Sequence, residues 1–447
     1  MRTGACVVLR YLLRTALIGA PGVVHGQTLT LQQAIESAEA NNRAIRAAHL
    51  ERDKALTGVN VARTYRLPAF SVAALGSQSL ASLGLTFPSG SLGVYPGIGP
   101  IPGESTTLSG PLQPAGIFYA SVTQPLSQQH KIGLGIKLAR IGVDIADETI
   151  RSKRLATVNE VRRLYYGVLQ AESGQRSLQA TVEFLKQLDQ DTGRNVVQRV
   201  ALQAESLDVK AQLAQAEFAL LKLRDPLETQ KQELNRLMGR DPDTPFEVDP
   251  LAATDFEMPE LKQAYATAID SRPEVRIARL QVKKAELDRR LKRAERIPDV
   301  SLAFTSVATV NLSSILPNRL SVVGIQVTWD VYDWGRKREQ AKEKGLVEEQ
   351  ASLDVKDTEA RIIVEVAHKY RKLIEARKQV EVAQASQSAT REFLRVSTNR
   401  YLQRDVLFSD VLKAQSGLAE ADNRFTQALL DVATAQADFE KALGVDQ

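Results

Sequence analysis

The spacing of apolar residues changes along the chain in the same order twice. Each half begins with a segment of helical period, in which apolar side chains recur every three or four residues; the first spans about 30–66. Pro68 ends this segment and Pro298 ends its counterpart, because proline cannot continue a helix. Thr30 is the expected N-cap of the first helix. The pattern therefore predicts one helix at the start of each half.

After each proline the period changes from 3.6 to 2, which predicts strands. The second half has alternating segments at 300–305 and 323–331, and the first half has them at 70–75 and 118–126. Four aromatic residues lie at or near the expected strand ends: Tyr119, Trp329, Tyr332 and Trp334. Half-exposed strands of a soluble domain explain this alternation, and so do membrane-spanning strands with an aromatic girdle. The strands alone leave both interpretations open.

Two very long helical segments follow the strands in each half. They are expected at about 133–194, 203–238, 336–398 and 408–443. A helix of about 60 residues is of order 90 Å long, which a compact globular domain does not need. Apolar residues lie on more than one side of these helices, as in a bundle or a closed cylinder. The connectors between strands, about 78–116 and 306–319, are expected to be surface loops, and the first is rich in glycine and proline.

The second half of the chain repeats the first. Leu31 aligns with Leu261 and Pro68 with Pro298 at an offset of 230, and from Val122 onward the offset is 205. A duplication of this length indicates one structural unit used twice. We expect a first repeat at 27–240, a linker at 241–257 and a second repeat at 258–447.

Residues 1–26 have the features of a secretory signal peptide. This segment holds the only cysteine, Cys6, and three arginines, so the formal net charge of +5 falls to about +2 after cleavage. A charge this small and scattered does not indicate nucleic-acid binding. No phosphate loop, HExxH motif or nucleophile elbow is present. The histidines are far apart, so we expect no enzyme activity, cofactor or metal; they are His25, His49, His130 and His368.

This order of elements resembles the TolC family of outer-membrane efflux ducts. A signal peptide is followed by two copies of the series helix, proline, strand, loop, strand and two long helices. The opening LTLQQAIESAEANN, the segment YLQRDVLFSDVLKAQSGLAEAD and the closing ALG are similar to family sequences. The resemblance implies a mainly α protein with a membrane β-barrel. Three protomers would form a 12-stranded barrel continuous with an α-helical tunnel. A four-stranded sheet cannot close alone, and an open strand edge cannot face lipid, which agrees with a trimer.

The resemblance also implies function and partners. The protein would be a passive exit duct in the outer-membrane bilayer, a homotrimer working with a periplasmic adaptor and an inner-membrane pump. Tyr401 and Asp410 match family positions at the periplasmic constriction, and Glu205 or Asp208 would be the first-repeat counterpart of the acid. A ring of three carboxylates favours cations. The hairpin tips would contact the adaptor; their residues are Gln198, Arg199, Val200, Gln403, Arg404 and Asp405.

The chain departs from the family pattern in three ways. Arg199 and Arg404 stand near the tip positions that usually hold glycine. Lys413 follows Asp410 where a second acid is common, and Val406 replaces a cationic tip residue.

Three other classes of protein explain less of the sequence. A periplasmic adaptor predicts one hairpin, an enzyme with a coiled-coil insert needs a catalytic constellation, and a coiled-coil scaffold leaves the strands unexplained.

Overall fold

The computed structural model describes residues 27–78, 80, 84–109, 114–199, 202–249, 258–311, 318–403 and 405–445, so the predicted signal segment lies outside the described residues. The chain forms two compact units, and each draws on both halves of the sequence. The hairpin unit comprises Met1–Asn42, Thr157–Glu257 and Leu373–Ala437. The sheet unit comprises Arg43–Ala156, Met258–Lys372 and Asp438–Gln447.

The described helices fall into a short pair and a long pair in each repeat. They are α1 Leu31–Asn41, α2 Arg43–Thr64, α3 Gln129–Val197, α4 Gln203–Leu237, α5 Leu261–Ser271, α6 Pro273–Ala294, α7 Arg336–Leu402 and α8 Phe408–Leu443. The predicted long helices are confirmed to within a few residues at each end. No described helix is long and apolar enough to cross a membrane.

The opening helix of each repeat is broken, so the prediction of one continuous helix at 30–66 is wrong. Asn42 has extended backbone angles between α1 and α2, and Arg272 does the same between α5 and α6. Pro273 explains the second break, because a residue before proline is driven out of the helical region. Thr30 caps α1 as expected: its hydroxyl accepts from the Gln33 amide at 3.2 Å, and the Gln33 side chain accepts from the Thr30 amide at 3.1 Å.

Ten strands are described. They are β1 Gln27–Leu29, β2 Ala69–Gln78, β3 Gly84–Phe87, β4 Val94–Tyr95, β5 Gly99–Pro100, β6 Thr106–Ser109, β7 Pro114–Pro125, β8 Phe246–Val248, β9 Asp299–Val310 and β10 Arg319–Thr328. The four strands predicted from alternation form one antiparallel sheet in the order β10-β9-β7-β2. In the described chain, β2 and β10 are the two edges of this sheet, and each pairs on one side only.

The first connector carries two small antiparallel pairs, β3 with β6 and β4 with β5, on an exposed loop. Part of the second connector, 312–317, lies outside the described residues. The parallel pair of β1 with β8 was not predicted from the sequence. It lies in the hairpin unit, where the Tyr165 hydroxyl lies 2.8 Å from the Leu29 carbonyl oxygen and accepts from the Asp249 amide at 3.0 Å.

Each unit has its own buried core. In the hairpin unit the fully buried side chains include Val161, Tyr165, Val168, Leu234 and Met238. In the sheet unit they include Val275, Val366 and Phe439, and the Tyr370 ring packs edge-on against Phe439 at 5.8 Å between centroids. The buried residues of α8 include Val411, Ala414, Ala421, Ala428, Phe439 and Ala442.

Candidate functional site

The first hairpin tip is a tight turn after α3. The Gln198 amide donates to the Arg194 carbonyl at 3.0 Å, and the Arg199 amide donates to the Val196 carbonyl at 3.0 Å. Arg199 has a φ of 57°, the left-handed conformation in which helix ends usually carry glycine. An arginine therefore occupies a glycine-type backbone position at this tip. Val200 lies outside the described residues.

The second tip ends α7 in a similar way. The Gln403 amide donates to the Asn399 carbonyl at 3.2 Å, and the Asp405 amide donates to the Arg400 carbonyl at 2.9 Å. These bonds satisfy carbonyls that a helix end leaves free. Arg404 lies outside the described residues, so its backbone conformation is not compared with that of Arg199.

Glu205 and Asp410 hold the same place in the two hairpins. Each is the third residue of the helix that follows its tip, α4 or α8. The Glu205 amide donates to the Leu202 carbonyl at 3.1 Å, and the Asp410 amide donates to the Leu407 carbonyl at 3.0 Å. The offset of 205 between the repeats also pairs these two residues. Negative charge is favourable there, because free amides make a helix N-terminus electropositive.

Asp410 is also anchored by its side chain. Its Oδ2 accepts from the Leu407 amide at 3.2 Å, which closes the first turn of α8. Asp208 lies one turn further along α4, on an exposed surface, and accepts from the Gln212 side-chain amide at 2.8 Å. Its counterpart in the second repeat is Lys413. By its position in the helix after the tip, Glu205, and not Asp208, is therefore the first-repeat equivalent of Asp410.

Tyr401 lies in the last turn of α7, and its side chain is 40 % exposed. An apolar cluster in the hairpin unit joins α3, α4 and α8 and is formed by Val182, Phe184, Leu185, Ala216 and Leu412. Packing of this kind holds the helices that carry the tip acids. Their position is therefore set by rigid helices and not by loops.

The predicted aromatic residues do not all lie together. Trp329, Tyr332 and Trp334 follow β10 at one end of the sheet and are exposed, and the rings of Tyr332 and Trp334 pack edge-on at 4.9 Å. Tyr119 instead lies in the middle of β7, opposite Ala73. The expectation that it lies near a strand end is wrong, because β7 begins at Pro114, four residues before the predicted start.

The sheet has one predominantly apolar face and one mixed face. Strand register places Phe70, Val122, Phe304 and Val323 side by side on the apolar face. The exposed fractions on the edge strands are large, 77 % for Phe70 and 71 % for Val323. On the other face, the hydroxyls of Ser71 and Ser121 lie 2.7 Å apart. A contiguous apolar face of this kind requires a partner or a membrane to cover it.

The described hairpin tips carry charged side chains, and the sheet carries exposed apolar surface. Among the described residues, no group of three or more His, Cys, Asp or Glu side chains is arranged to hold a metal ion. The sequence prediction missed the β1–β8 pair with its Tyr165 clamp, and it missed a groove of cationic residues near the sheet.

A family model for outer membrane efflux proteins matches residues 34–240 and 264–445, one segment in each repeat. The matched segments make up more than half of the chain, so the chain belongs to the outer membrane efflux protein family. The comparison with curated proteins gives no match.

Solved structures show the same fold at low sequence identity. The Campylobacter jejuni CmeC outer membrane channel is 16 % identical, with a TM-score of 0.75 over 93 % of this chain and 85 % of that chain. The outer membrane protein VceC from Vibrio cholerae is 16 % identical, with a TM-score of 0.72 over 93 % and 96 %. The open state of the Neisseria gonorrhoeae MtrE outer membrane channel is 18 % identical, with a TM-score of 0.69 over 93 % and 88 %.

These comparisons confirm the predicted family, fold class and outer-membrane location, and the efflux function over the adaptor and scaffold alternatives. The repeat boundaries and the roles of individual tip residues stay predictions.

Proposed function

We propose that this protein is the passive exit duct of a tripartite efflux or secretion system. Three copies would form the duct, and it would work with a periplasmic adaptor and an inner-membrane pump that supplies the energy. The observation that carries this proposal is the four-stranded sheet with two free edges and an exposed apolar face. Free edges cannot face lipid, because their amides and carbonyls would be unsatisfied. Pairing β10 of one copy with β2 of the next closes them.

Engineered disulfides across the free edges test this closure. In a Cys6→Ser background, Ser71→Cys on β2 is combined in turn with Val322→Cys, Gly324→Cys or Gln326→Cys on β10. Strand register places all four positions on the same face of the sheet. Oxidation of outer membranes should give covalent dimers and trimers for at least one combination, because antiparallel neighbours bring facing side chains to about 5 Å.

The matched control is Ser71→Cys with Ser121→Cys, whose native hydroxyls lie 2.7 Å apart within one chain. This pair should form a disulfide without changing the mass of the protein on a gel. If the control pair closes while no edge combination gives dimers or trimers, the proposed closure is wrong.

In the proposed duct, Asp410 and Glu205 contribute to the periplasmic constriction, with Tyr401 beside them on α7. Each acid would be present three times, and rings of carboxylates favour cations. Asp410→Ala should reduce cation selectivity in single-channel recordings, and Glu205→Gln should have the same direction. Asp208→Asn is the control with the same loss of charge one turn away, and it should have a smaller effect. Unchanged selectivity in Asp410→Ala contradicts the assignment.

The exposed tips are the proposed adaptor contacts. Gln198 and Arg199 form the first, with Val200 beside them in the sequence, and Gln403, Arg404 and Asp405 form the second. Reversing the charge at Arg199 and Arg404 to glutamate should abolish efflux and leave the yield of trimer intact. Retained efflux would assign adaptor docking to another surface.

The aromatic residues Trp329, Tyr332 and Trp334 are proposed to lie at the membrane interface, where amphipathic rings are favoured, while Tyr119 lies elsewhere on the sheet.

A further inference from the structure

An open groove in the sheet unit is lined by cationic side chains. It lies between the end of α2 and the start of α3 and has a volume of about 810 Å³. Its cationic and titratable residues, here called the basic groove, are Arg63, Arg66, His130, Lys137 and Arg140. No acidic side chain is among its described lining residues. The groove is therefore suited to an anion.

The basic groove lies at one end of the sheet. β2 begins at Ala69, three residues after Arg66, and Ala69 pairs with Thr123 near the end of β7. The Arg66 carbonyl accepts from the side-chain amides of Gln124 and Gln129, both at 3.0 Å. These bonds fix both walls of the groove beside the sheet. Whatever borders this end of the sheet also borders the groove.

The two repeats differ sharply in charge at this place. Residues 58–66 and 125–143 contain five Lys or Arg residues and no Asp or Glu. The equivalent residues 288–296 and 330–348 contain ten Lys or Arg residues and seven Asp or Glu. The first repeat therefore has no acid at this junction, while the second has seven acids for its ten cations.

Three ion pairs of the second repeat have no counterpart in the first. Lys292 pairs with Glu295 at 3.0 Å, Arg289 with Glu348 at 2.9 Å and Lys337 with Asp330 at 3.2 Å. The offsets of 230 and 205 place neutral residues at both ends of these pairs: Tyr65, Val143 and Pro125 stand for the acids, and Ala62, Val59 and Ile132 stand for the cations. Lys131, beside the groove, pairs with Asp299 at 2.5 Å and is thus occupied. The cations of the basic groove have no such acid among the described residues.

The groove also has apolar walls. Leu134 and Ile136 line it and are nearly fully buried, so they form a firm base. The Arg66 guanidinium lies over Gly133, where an added Cβ would be 3.4 Å from Nη2. Next to the groove, Phe70 and Val72 begin the exposed apolar face of β2. A ligand with a charged head and apolar chains matches this arrangement better than a free inorganic ion does.

We propose that the basic groove binds the phosphate headgroup of an anionic phospholipid in the leaflet next to the helices. This inference rests on the proposed function, since it requires the sheet to lie in the membrane. The acyl chains would lie along the apolar face of β2 and the phosphate would contact the groove cations. One groove per protomer would anchor the protein at a fixed depth.

Native mass spectrometry of the delipidated full-length protein in detergent tests the proposal. The probes are dioleoylphosphatidylglycerol and dioleoylphosphatidylcholine, which differ in headgroup charge. The wild type should prefer phosphatidylglycerol, and R63Q/R66Q/K137Q should lower its affinity for this lipid by about tenfold or more, because each cation near an anionic headgroup adds to binding. The preference should also weaken as salt increases.

The matched control is R293Q/R296Q/K342Q, which removes three positive charges at the equivalent positions of the second repeat. It should retain the affinity for phosphatidylglycerol to within about twofold, because the segments that carry these three cations also carry seven acidic residues, which weaken the attraction of an anion to them. Equal binding of the two lipids by the wild type, or an equal loss in the two triple variants, overturns the proposal.

Conductance of the wild type in phosphatidylcholine bilayers separates the two proposals. If the protein forms channels but binds both lipids equally, the groove inference fails and the exit duct stands. If the protein neither inserts nor conducts, the proposed function fails and the groove inference falls with it.

Discussion

In the first repeat the break between α1 and α2 lies at Asn42, and in the second the break between α5 and α6 lies at Arg272. Both residues are buried, and both lie against the end of a hairpin in their own unit. Asn42 donates from its side chain to the Leu237 carbonyl at 3.0 Å. Arg272 instead donates to Glu274 at 3.0 Å and to Glu365 at 2.6 Å. A neutral amide and a charged network thus occupy equivalent places.

The two junctions share a glycine in the left-handed conformation. Gly239 has a φ of 71° and Gly444 a φ of 72°. A Cβ on Gly239 would lie 2.8 Å from the Asn41 carbonyl oxygen, and one on Gly444 would lie 2.9 Å from Cγ of Arg272 and 3.0 Å from its Cα. The backbone of this junction is therefore constrained in the same way in both repeats, whereas the buried polar group at the break differs between them.

The largest effect is therefore expected at the glycines. Gly239→Ala and Gly444→Ala should each destabilise the protein by about 2–4 kcal/mol, because alanine is strained at positive φ and its Cβ collides with neighbouring atoms. Gly58→Ala and Gly142→Ala are controls inside α2 and α3, where an added Cβ meets nothing within 4 Å. They should stabilise by up to about 1 kcal/mol.

The midpoint of urea unfolding of the purified protein measures both pairs. Opposite signs for the junction and helix glycines support the comparison. A loss at only one junction would mean that the two repeats do not share the constraint.

The second-largest change in stability is expected when the hydrogen bonds of the Tyr165 hydroxyl are removed. Tyr165→Phe should cost about 1–1.5 kcal/mol, because it removes the hydrogen bonds of the hydroxyl to the Leu29 carbonyl and from the Asp249 amide, while the amide keeps its own bond to the Leu29 carbonyl at 3.2 Å. Tyr370→Phe, its equivalent in the second repeat, keeps the ring contact with Phe439 and should change stability less. Urea midpoints of the two variants at neutral pH give this difference directly.

The buried hydroxyl of Tyr165 also predicts that the protein loses stability at alkaline pH. Burial raises the pKa of its hydroxyl from 10.0 to about 12. The unfolded chain therefore ionises first, and the stability from Tyr165 is complete below pH 10 and is lost as the pH rises through 12. Stability measured at pH 8 and pH 11 should fall in the wild type and fall less in Tyr165→Phe. Equal alkaline losses in both would contradict the clamp.

The ion pair between Arg272 and Glu274 predicts a loss of stability at acid pH, which the neutral side chain of Asn42 does not. Burial alone would raise the pKa of Glu274, but the hydrogen bond and charge of Arg272 outweigh it, so the pKa is below its ordinary value of 4.5. The stability from this carboxylate is present above pH 4.5 and is lost as the pH falls through the lowered pKa. Arg272→Met should flatten this acid dependence in urea midpoints measured from pH 7 downward.

Asn42→Ala is the control at the equivalent position. An amide does not titrate, so this variant should lower stability by about 1 kcal/mol at every pH and leave the acid dependence intact. If Arg272→Met and Asn42→Ala have parallel pH profiles, the ionic network at Arg272 contributes nothing specific.

Much of the fold was predictable because its signals are local. Helical and strand periods, the two prolines and the duplication place the long helices and the four strands of the main sheet. The break at Asn42 was missed because the apolar spacing continues through it, yet Pro273 at the equivalent break gave a usable signal. The three-residue pair of β1 with β8 joins distant segments and has no local pattern that predicts it.

The candidate site was predicted in part. The offset of 205 alone pairs Glu205 with Asp410, and the structure gives the reason, since both begin a helix in the same way. The anchoring of Asp410 through the Leu407 amide depends on the geometry of the turn, which composition does not encode. The basic groove was missed because its cations come from two separate segments, and only the comparison of repeats shows the missing acids.

The smallest change in stability is expected at the first tip, where a substitution should stabilise the protein. Arg199 holds a left-handed conformation, which costs a non-glycine residue about 1 kcal/mol. Arg199→Gly should therefore stabilise the protein by about 0.5–1 kcal/mol, and Arg199→Lys should not. Val197→Gly, at the end of α3, is the control and should destabilise. If Arg199→Gly raises the urea midpoint but lowers efflux, while Arg199→Lys preserves efflux, the arginine keeps its strained position for its charge. A gain in stability with full efflux would instead remove Arg199 from the proposed adaptor contact.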